Sequence, residues 1–373
     1  MDADRTVFSY SDTEAMRVAL DAAGHGVRGA NPLVGAAVRG ADGTLAVGWH
    51  RGAGTPHAEV DALLRARSEG IDLTDSTLYV SLEPCNHTGR TGPCADLIAD
   101  AGIPRVVYAY PDLHHTAAGG AERLRDLGVE VVGGLLADDA HALNARWFAA
   151  KAAHRPFVTL KLAQSLDGRI AAADGTSRWI SSQESRDHVH ALRARVDAIL
   201  VGTGTAIADN PRLTARDEGG RERAEQPVPV VLGEREIPAD SHLGRNPATL
   251  RLHTHDPAEA VRQLGAAGIE HLLVEGGAHV AGAFLAADLV DEIELYIAPL
   301  LLGEGLPAVR GLEVATLSDA YRFTPDFAGP EAPARLGPDV FLRLVPAPDP
   351  NRSDADPDCS ASDQHPSERD TAD

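Results

Sequence analysis

Short apolar runs alternate with amphipathic helical segments along most of this chain, and glycine or proline residues separate them. Apolar runs of four to six residues between turn residues are typical of buried strands. Strands that alternate with helices predict an α/β domain with a largely parallel sheet. In the first half, strands are predicted at 33–38, 45–49, 77–81, 105–109 and 129–132, and helices at 13–23, 58–66, 95–101 and 121–127.

The same alternation begins again near Pro156. At roughly 150 residues per domain, a chain of 373 residues predicts two domains, which we place at 1–153 and 154–345. Residues 346–373 are rich in proline, serine and aspartate and predict a disordered acidic tail. In the second half, strands are predicted at 157–162, 198–202, 228–232, 271–275, 292–298 and 340–345, and helices at 182–195 and 278–287.

The charge balance narrows the range of partners. The chain has 34 basic and 55 acidic residues, a formal net charge of −21. Nucleic acids and anionic membranes both attract basic surfaces, so we expect neither as a partner. No run reaches the roughly 18 apolar residues of a membrane span, and the N-terminus lacks the basic start and apolar core of a secretory signal. We therefore expect a cytoplasmic protein that acts on a small molecule.

Two short segments suggest a zinc site. His57 and Glu59 are separated by one residue, and Cys85, preceded by Pro84, is followed by Cys94. The order H-x-E…P-C-x-x-C is the signature of zinc nucleobase deaminases, although here eight residues separate the cysteines. One imidazole and two thiolates would leave a fourth position on zinc for water. Glu59, at a helix start, could then carry the proton from the water to the leaving ammonia.

Two other interpretations of these residues stay open. His87 could close a structural zinc site as a fourth ligand, or Cys85 and Cys94 could be ordinary core cysteines. We expect Cys85 to open a helix or turn, where the helix dipole favours a thiolate. Cys359 lies in the predicted tail and is expected to be an incidental thiol.

Together these segments resemble the bifunctional riboflavin biosynthesis deaminase/reductase family, whose own motif has the wider cysteine spacing. The likeness covers about residues 10–345, because the second half carries further motifs of the same family. Its motifs lie at His57–Val60, Leu82–Cys94, Lys161–Arg169, Trp179–Ser182, Leu200–Thr205, Ala208–Thr214 and Val274–Gly277.

The resemblance implies a fold and two reactions. It implies an N-terminal three-layer α/β domain similar to cytidine deaminases and a C-terminal α/β domain similar to dihydrofolate reductase. The first would use Zn²⁺ to deaminate a phosphorylated diaminopyrimidinone, 2,5-diamino-6-(5-phosphoribosylamino)pyrimidin-4-one. The second would use NADPH to reduce the ribosyl group to ribityl. A homodimer or higher homo-oligomer is the family expectation.

The second half has no G-x-G-x-x-G fingerprint, so a dinucleotide fold of the Rossmann type is a poor match. Gly276 and Gly277, between a predicted strand and helix, could let a backbone approach phosphate oxygens, or could form an ordinary tight turn. The resemblance implies Asp209 as the acid, with Lys161 as electrostatic support, although Asp209 could be only a turn residue. It implies that the cofactor faces Ala163, Trp179, Thr205, Asp209, Gly277, Ala278, His279, Val280, Ala281, Gly282 and Ala283.

The substrate residues implied by the resemblance include two arginines, Arg193 and Arg216, that suit a phosphate. Each could instead be a solvated surface arginine. Glu234 stands where the family usually has a serine, which bears on the preference for NADPH over NADH. The substrate set is Asn31, Ser177, Arg193, Leu213, Arg216 and Glu275.

Two other functions fit the sequence less well. A nucleic-acid base deaminase fused to another domain is disfavoured by the charge and by the lack of aromatic-basic stripes. A binding protein with a structural zinc and a degenerate cofactor pocket is disfavoured by Glu59, since a structural site has no use for an acid or base there.

Overall fold

A computed structural model describes residues 8–347, apart from 28, 53, 87–91, 113–118, 218 and 327–333. The predictions made for His87 and for the tail with Cys359 lie outside these residues. Every helix in the part of the chain that is described is too short or too polar to cross a lipid bilayer.

The first half forms a five-stranded sheet in the order β2-β1-β3-β4-β5. β3, β4 and β5 are parallel, but β1 is antiparallel to both of its neighbours. The prediction of a largely parallel sheet was therefore wrong at this edge, because a short hairpin turn joins β1 to β2. The elements are α1 (Tyr10–Ala23), β1 (Gly35–Arg39), β2 (Leu45–Trp49), α2 (Ala58–Ser68), β3 (Thr77–Leu82), α3 (Cys94–Asp100), β4 (Arg105–Tyr110), α4 (Gly120–Asp126), β5 (Glu130–Gly133) and α5 (Ala137–Ala152).

Helices cover both faces of this sheet, which gives the three layers that the resemblance implied. α2, α3 and α4 pack on one face through side chains such as Ala62, Ile98 and Leu124. α1 packs on the other face, where Met16 contacts the cluster that includes Tyr79, and Ala140 of α5 joins the same cluster. α1 starts at a capping box, in which the side chains of Ser9 and Asp12 each bind the other's backbone.

Helix α5 was not predicted from the sequence, but it holds in place the segment before β1, which contributes to the site described below. Asn144 is buried and makes two hydrogen bonds with the backbone of Leu33, at 2.8 and 2.9 Å. Trp147 donates its indole N–H to the carbonyl of Ala30, at 3.2 Å. The segment before β1 is therefore held against α5 rather than being free to move.

The second half forms a nine-stranded sheet whose main path is β10-β9-β8-β11-β6-β12-β16-β14. The strands from β10 to β12 are parallel, and β16 and β14 close the edge in antiparallel pairing. The elements are β6 (Phe157–Ser165), β7 (Arg169–Ala171), α6 (Gln183–Arg193), β8 (Ala198–Gly202), α7 (Thr203–Asp209), β9 (Val228–Leu232), α8 (His242–Arg245), β10 (Leu250–Leu252), α9 (Pro257–Ala266), β11 (His271–Val274), α10 (Ala278–Ala286), β12 (Glu292–Ala298), β13 (Leu306–Pro307), β14 (Phe323–Pro325), β15 (Ala334–Leu336) and β16 (Asp339–Pro346).

The two faces of this second sheet differ in chemistry. On one face α9 and α10 pack against aliphatic side chains, including Leu160, Val274 and Ile293. The other face is covered in part by α6, whose N-cap is Ser182. That face also carries charged side chains, which lie next to apolar clusters. The charged residues of β12 are two positions apart in the sequence, so their side chains point to the same face of the sheet.

Residues at the junction of the two halves contact one another. Arg155 binds the buried carboxylate of Asp291 through both terminal nitrogens, at 2.6 and 2.8 Å. Lys151, near the end of α5, pairs with Glu270 at 3.4 Å, and Glu270 precedes β11 of the second sheet. The pair of Lys151 and Glu270 thus joins α5 of the first half to the second half, whereas Arg155 and Asp291 both belong to the second half.

Candidate functional sites

Three predicted metal ligands converge in the first half. The nitrogen and sulfur atoms of His57, Cys85 and Cys94 all lie within 4.8 Å of one another. His57 Nδ1 is 3.6 Å from the Sγ of Cys85 and 3.3 Å from the Sγ of Cys94. One imidazole nitrogen and two sulfurs at these separations form a donor set that suits zinc.

Helix starts position two of these ligands. His57 is the N-cap of α2, and Cys94 is the first residue of α3. Cys85 was expected to open a helix or turn. It follows β3 outside any helix, in the irregular residues 83–86, and its sulfur accepts the backbone N–H of Cys94 at 3.4 Å. The strand end and the helix start therefore bring the two cysteines together in spite of their wide spacing.

Glu59 occupies the second position of α2 and is almost completely buried. Burial, together with the nearby Cys85, raises the pKa of Glu59 to about 7. Contact with Cys94 and His57 lowers the pKa of Cys85 to about 4, and the proton that the two sulfurs share raises the pKa of Cys94. The hydrogen bond to Cys85 raises the pKa of His57. A buried carboxyl that can be either protonated or charged near neutral pH is suited to carry protons.

A cavity of about 260 Å³ lies over these groups. Asn31, predicted to bind substrate, lines it and places its amide nitrogen 3.0 Å from Nε2 of His50. His50 Nδ1 lies 3.1 Å from the carbonyl of Pro56, and burial lowers the pKa of His50. A neutral His50 that donates through Nδ1 can accept the Asn31 N–H, so it fixes which way that amide points.

Five of the residues that line this cavity were not predicted as site residues. Four of them lie outside the motif segments, and Glu83 lies inside one but also holds backbone groups of the chain. Glu83, inside the motif, accepts the backbone N–H groups of Asp112 and Ala121 and so anchors the start of α4. The five are His50, Glu83, Trp147, Lys151 and Glu270, the last of which belongs to the second half of the chain.

Predicted residues also meet in the second half. Arg193, at the end of α6, binds both carboxylate oxygens of Glu275 at 2.7 Å, and its third nitrogen donates to the carbonyl of Thr214. Burial alone would raise the pKa of Glu275, but Arg193 and Lys161 outweigh it and hold that pKa at about 2. Burial lowers the pKa of Lys161, and the charge of Glu275 opposes that shift. Lys161, Arg193 and Glu275 therefore form one electrostatic cluster.

At the glycine pair after β11, the backbone lies close to neighbouring side chains. A Cβ on Gly276 would come within 2.5 Å of Val280, and one on Gly277 would come within 3.2 Å of the hydroxyl of Thr205. Gly277 is the N-cap of α10 and has no side chain to satisfy the first N–H groups of the helix. N–H groups at a helix start are able to bind phosphate oxygens.

The remaining predicted residues lie around this cluster. Arg216 binds the hydroxyl of Thr214, next to Arg193. Trp179 is 69% exposed and stacks under Arg186, and Arg178 links it to the backbone carbonyl of Asp209. Asp209 is the last residue of α7 rather than part of a turn, and it is exposed. Ala163 is on β6, Leu213 is buried and Ser177 is partly buried, while Ala278, His279, Ala281, Gly282 and Ala283 belong to α10.

Comparison with known protein families gives a match in each half of the chain. A family described as the cytidine and deoxycytidylate deaminase zinc-binding region matches residues 9–110, and the RibD C-terminal domain matches residues 156–327. Riboflavin biosynthesis protein RibD of Mycobacterium tuberculosis is 41% identical over 338 residues, which cover 89% of this chain and 96% of that protein. RibD of Escherichia coli is 38% identical over 354 residues, covering 85% and 94%.

Solved structures show the same arrangement over nearly the whole chain. Acinetobacter baumannii RibD superposes with a TM-score of 0.69 at 33% identity, covering 91% of this chain and 99% of that one. A Thermotoga maritima structure superposes with a TM-score of 0.66 at 31% identity and the same coverage. That protein is described as a diaminohydroxyphosphoribosylaminopyrimidine deaminase/5-amino-6-(5-phosphoribosylamino)uracil reductase.

A zinc-binding deaminase region followed by a reductase domain defines the class of bifunctional deaminase-reductases. Similarity extends through both halves and through almost the full length of its relatives. The chain belongs to the RibD family of riboflavin biosynthesis proteins. It is accordingly a two-activity enzyme of that pathway, with a deaminase in its first half and a reductase in its second.

Proposed function

We propose that the enzyme hydrolyses the ring amino group of 2,5-diamino-6-(5-phosphoribosylamino)pyrimidin-4-one and then reduces the ribosyl group of the product to a ribityl chain. The observation that carries the first reaction is the set of His57, Cys85 and Cys94 beside the buried Glu59. The name of the Thermotoga maritima relative supports this choice of substrate.

For deamination, His57 Nδ1 and the sulfurs of Cys85 and Cys94 would hold Zn²⁺. When bound, zinc supplies Lewis acidity that makes water a better nucleophile near neutral pH. Glu59 takes a proton from water and delivers it to the leaving amine, so that water and the amino compound give the oxo compound and ammonia. Asn31, oriented by His50, binds the polar edge of the pyrimidine.

For reduction, NADPH supplies the hydride when bound, and the residues of the chain position the substrate and provide the proton. We assign the proton donor to Asp209, with Lys161 as electrostatic support. Substrate contacts are assigned to Ser177, Arg193, Leu213, Arg216 and Glu275. Cofactor contacts are assigned to Ala163, Trp179, Thr205, Asp209 and the segment Gly277–Ala283.

Two features bear on NADPH as the cofactor. Glu234 is exposed, so its charge can point into solvent. Arg235 directs its guanidinium to within 3.2 Å of the position that a Cβ on Gly204 would take, at the start of α7. That positive charge could offset the missing serine and favour a cofactor with an additional phosphate. Measuring the Kd of NADP⁺ and NAD⁺ separately tests this preference.

The proposal extends to the domain bounds, the cellular location and the assembly of the enzyme. Residues 1–153 form the deaminase unit and 154–345 the reductase unit, with 346–373 as an acidic tail. The enzyme works in the cytoplasm as a homodimer or higher homo-oligomer, and it binds neither nucleic acid nor membrane.

Glu59→Gln tests the deaminase mechanism. We expect ammonia release to fall by about 10²–10⁴-fold, because the variant keeps the shape of the carboxyl but cannot accept a proton. NADPH oxidation with substrate that is already deaminated should be unchanged. Glu69→Gln, an exposed position at the end of the same helix, is the matched control. Survival of ammonia release in Glu59→Gln would contradict the mechanism.

A further inference from the structure

A row of charged side chains crosses three strands beneath α6. Glu294 on β12 is paired in register with Lys161 on β6, on one side, and with Arg343 on β16, on the other. Side chains at directly paired positions lie on the same face, with Cβ atoms about 5 Å apart. Glu294 is 1% exposed, so its carboxylate is in the protein interior rather than in water.

Two groups hold the Glu294 carboxylate in place. Tyr296 donates its hydroxyl to one carboxylate oxygen at 3.0 Å, and Arg343 is 3.5 Å from the other. Nδ1 of His188, on α6, is 2.7 Å from the Tyr296 oxygen. Because Tyr296 uses its single proton on Glu294, His188 must be the donor in that contact. The Glu294 carboxylate is therefore contacted from its own strand, β12, and from β16.

Lys161 also faces Tyr296, whose ring centre is 5.8 Å from its Nζ. Of the acidic groups around Lys161, Glu275 is tied to Arg193 by two hydrogen bonds. Glu294 is a second negative charge that acts on Lys161, and both oppose the effect of burial. The titratable or charged side chains packed around Lys161 and its two partners are Glu275, Arg193, His188, His190, Glu292, Glu294, Tyr296 and Arg343.

We propose that Glu294 is a positioning residue of the reductase site, whose carboxylate balances the charge of Lys161, its paired neighbour on β6. The carboxylate acts through Lys161 and does not itself touch the substrate. The functional part of this inference rests on the proposed role of Lys161 in reduction, whereas the electrostatic part can be measured without any substrate.

Glu294→Gln separates this role from a merely structural one. We expect the alkaline limb of the pH profile for reduction to move down by about one pH unit, so that the rate at the original midpoint falls several-fold and recovers at lower pH. Glu292→Gln is the matched control: it is on the same strand and face and is also near Arg343, at 3.7 Å, but it pairs with Thr159. Its pH profile should match that of the unaltered enzyme.

The chain contains only two lysines, Lys151 and Lys161, which allows a direct measurement. Protein labelled with ¹³Cε-lysine should give two lysine resonances, and their pH titration reports each amine. In Glu294→Gln the Lys161 midpoint should fall by about one unit while that of Lys151 stays fixed. Glu294→Asp, which keeps the charge, should restore most of the midpoint.

Tyr296→Phe serves if Glu294→Gln does not fold. It removes the hydroxyl that holds the Glu294 carboxylate in place beside Lys161, so the Lys161 midpoint should shift in the same direction by a smaller amount. Identical Lys161 midpoints in all folded variants would overturn the proposal. If instead the midpoint shifts while even the unaltered enzyme fails to reduce the deaminated substrate, the assigned reductase function is at fault and the electrostatic link stands.

Discussion

The metal ligands and Glu59 of the proposed deaminase site come from one stretch of chain between His57 and Cys94, whereas the proposed reductase site collects Lys161, Arg193 and Glu275 from separate strands and helices. In the first, a helix N-cap, a strand end and a helix start bring sulfur and nitrogen atoms together. In the second, a sheet of parallel strands aligns side chains that are distant in sequence. Local geometry thus builds one site, and long-range pairing builds the other.

The electrostatics of the two sites also differ. The deaminase site concentrates groups that share protons, and the pKa of Cys85 falls while that of Cys94 rises. The reductase site sets fixed charges against each other, as in the buried pair of Arg193 and Glu275. The first arrangement is a donor set that suits a metal ion, and the second pairs a guanidinium with a carboxylate. Three changes test this contrast, in decreasing order of expected effect.

Cys94→Ser should remove metal binding and with it the deamination reaction. Losing one of three ligands weakens zinc binding, and without the metal we expect ammonia release to fall by at least about 10³-fold, or roughly 4 kcal/mol in activation free energy. Zinc content by elemental analysis and ammonia release are the two measurements. Cys359→Ser, at the one cysteine outside the site, is the control and should keep both. Full zinc content in Cys94→Ser would show that the metal is held elsewhere.

Glu275→Gln should weaken the fold of the reductase half as well as its activity. It leaves the Arg193 guanidinium buried opposite a neutral group, at a cost of about 3 kcal/mol in the free energy of unfolding. Urea denaturation measures that loss. Asp96→Asn breaks an exposed pair with Arg123 in the deaminase half and should cost less than about 1 kcal/mol. Equal losses would mean that the fixed charges of the second site are no more important than surface charges.

His271→Gln should reduce the acid sensitivity of the fold. Burial lowers the pKa of His271 to about 3 from its ordinary 6.5, so the unfolded chain gains the proton first as the pH falls. This residue's stabilising contribution is complete above pH 6.5 and is lost progressively toward pH 3. Between pH 7 and 4.5 the unaltered protein should lose about 2–3 kcal/mol more than the variant.

The control for that experiment is His253→Gln, an exposed histidine of the same half. Its stability should follow the unaltered protein at every pH, in urea denaturation series measured from pH 7 to 4.5. If the free energy of unfolding of His271→Gln falls with pH as steeply as that of the unaltered protein and of His253→Gln, the acid sensitivity comes from the carboxylates.

Much of the deaminase site could be predicted from the sequence, because its residue types are unusual and closely spaced. His57, Glu59, Cys85 and Cys94 meet as expected, but the helix start belongs to Cys94 rather than Cys85. His50 was missed because a single histidine after a strand carries no local signal. It became part of the site only through its hydrogen bond with Asn31.

The reductase half shows where pattern reading fails. β12 was predicted with its correct bounds, and its alternating polar residues would ordinarily indicate a face in contact with water. Instead Glu294 is buried, because its carboxylate is balanced by neighbours on β6 and β16. Alternation predicts which side chains share a face, but the covering of that face depends on tertiary packing.

The contact between Lys151 and Glu270 has a consequence for how such an enzyme can be rebuilt. Both residues line the deamination cavity, and Glu270 comes from the reductase half. Nearby, the backbone of Gly29 lies so close to His271 that a Cβ there would collide with the imidazole. A chimera that joins this deaminase to a foreign reductase would therefore inherit a deamination cavity with an altered rim, and its turnover would depend on the identity of the donor half.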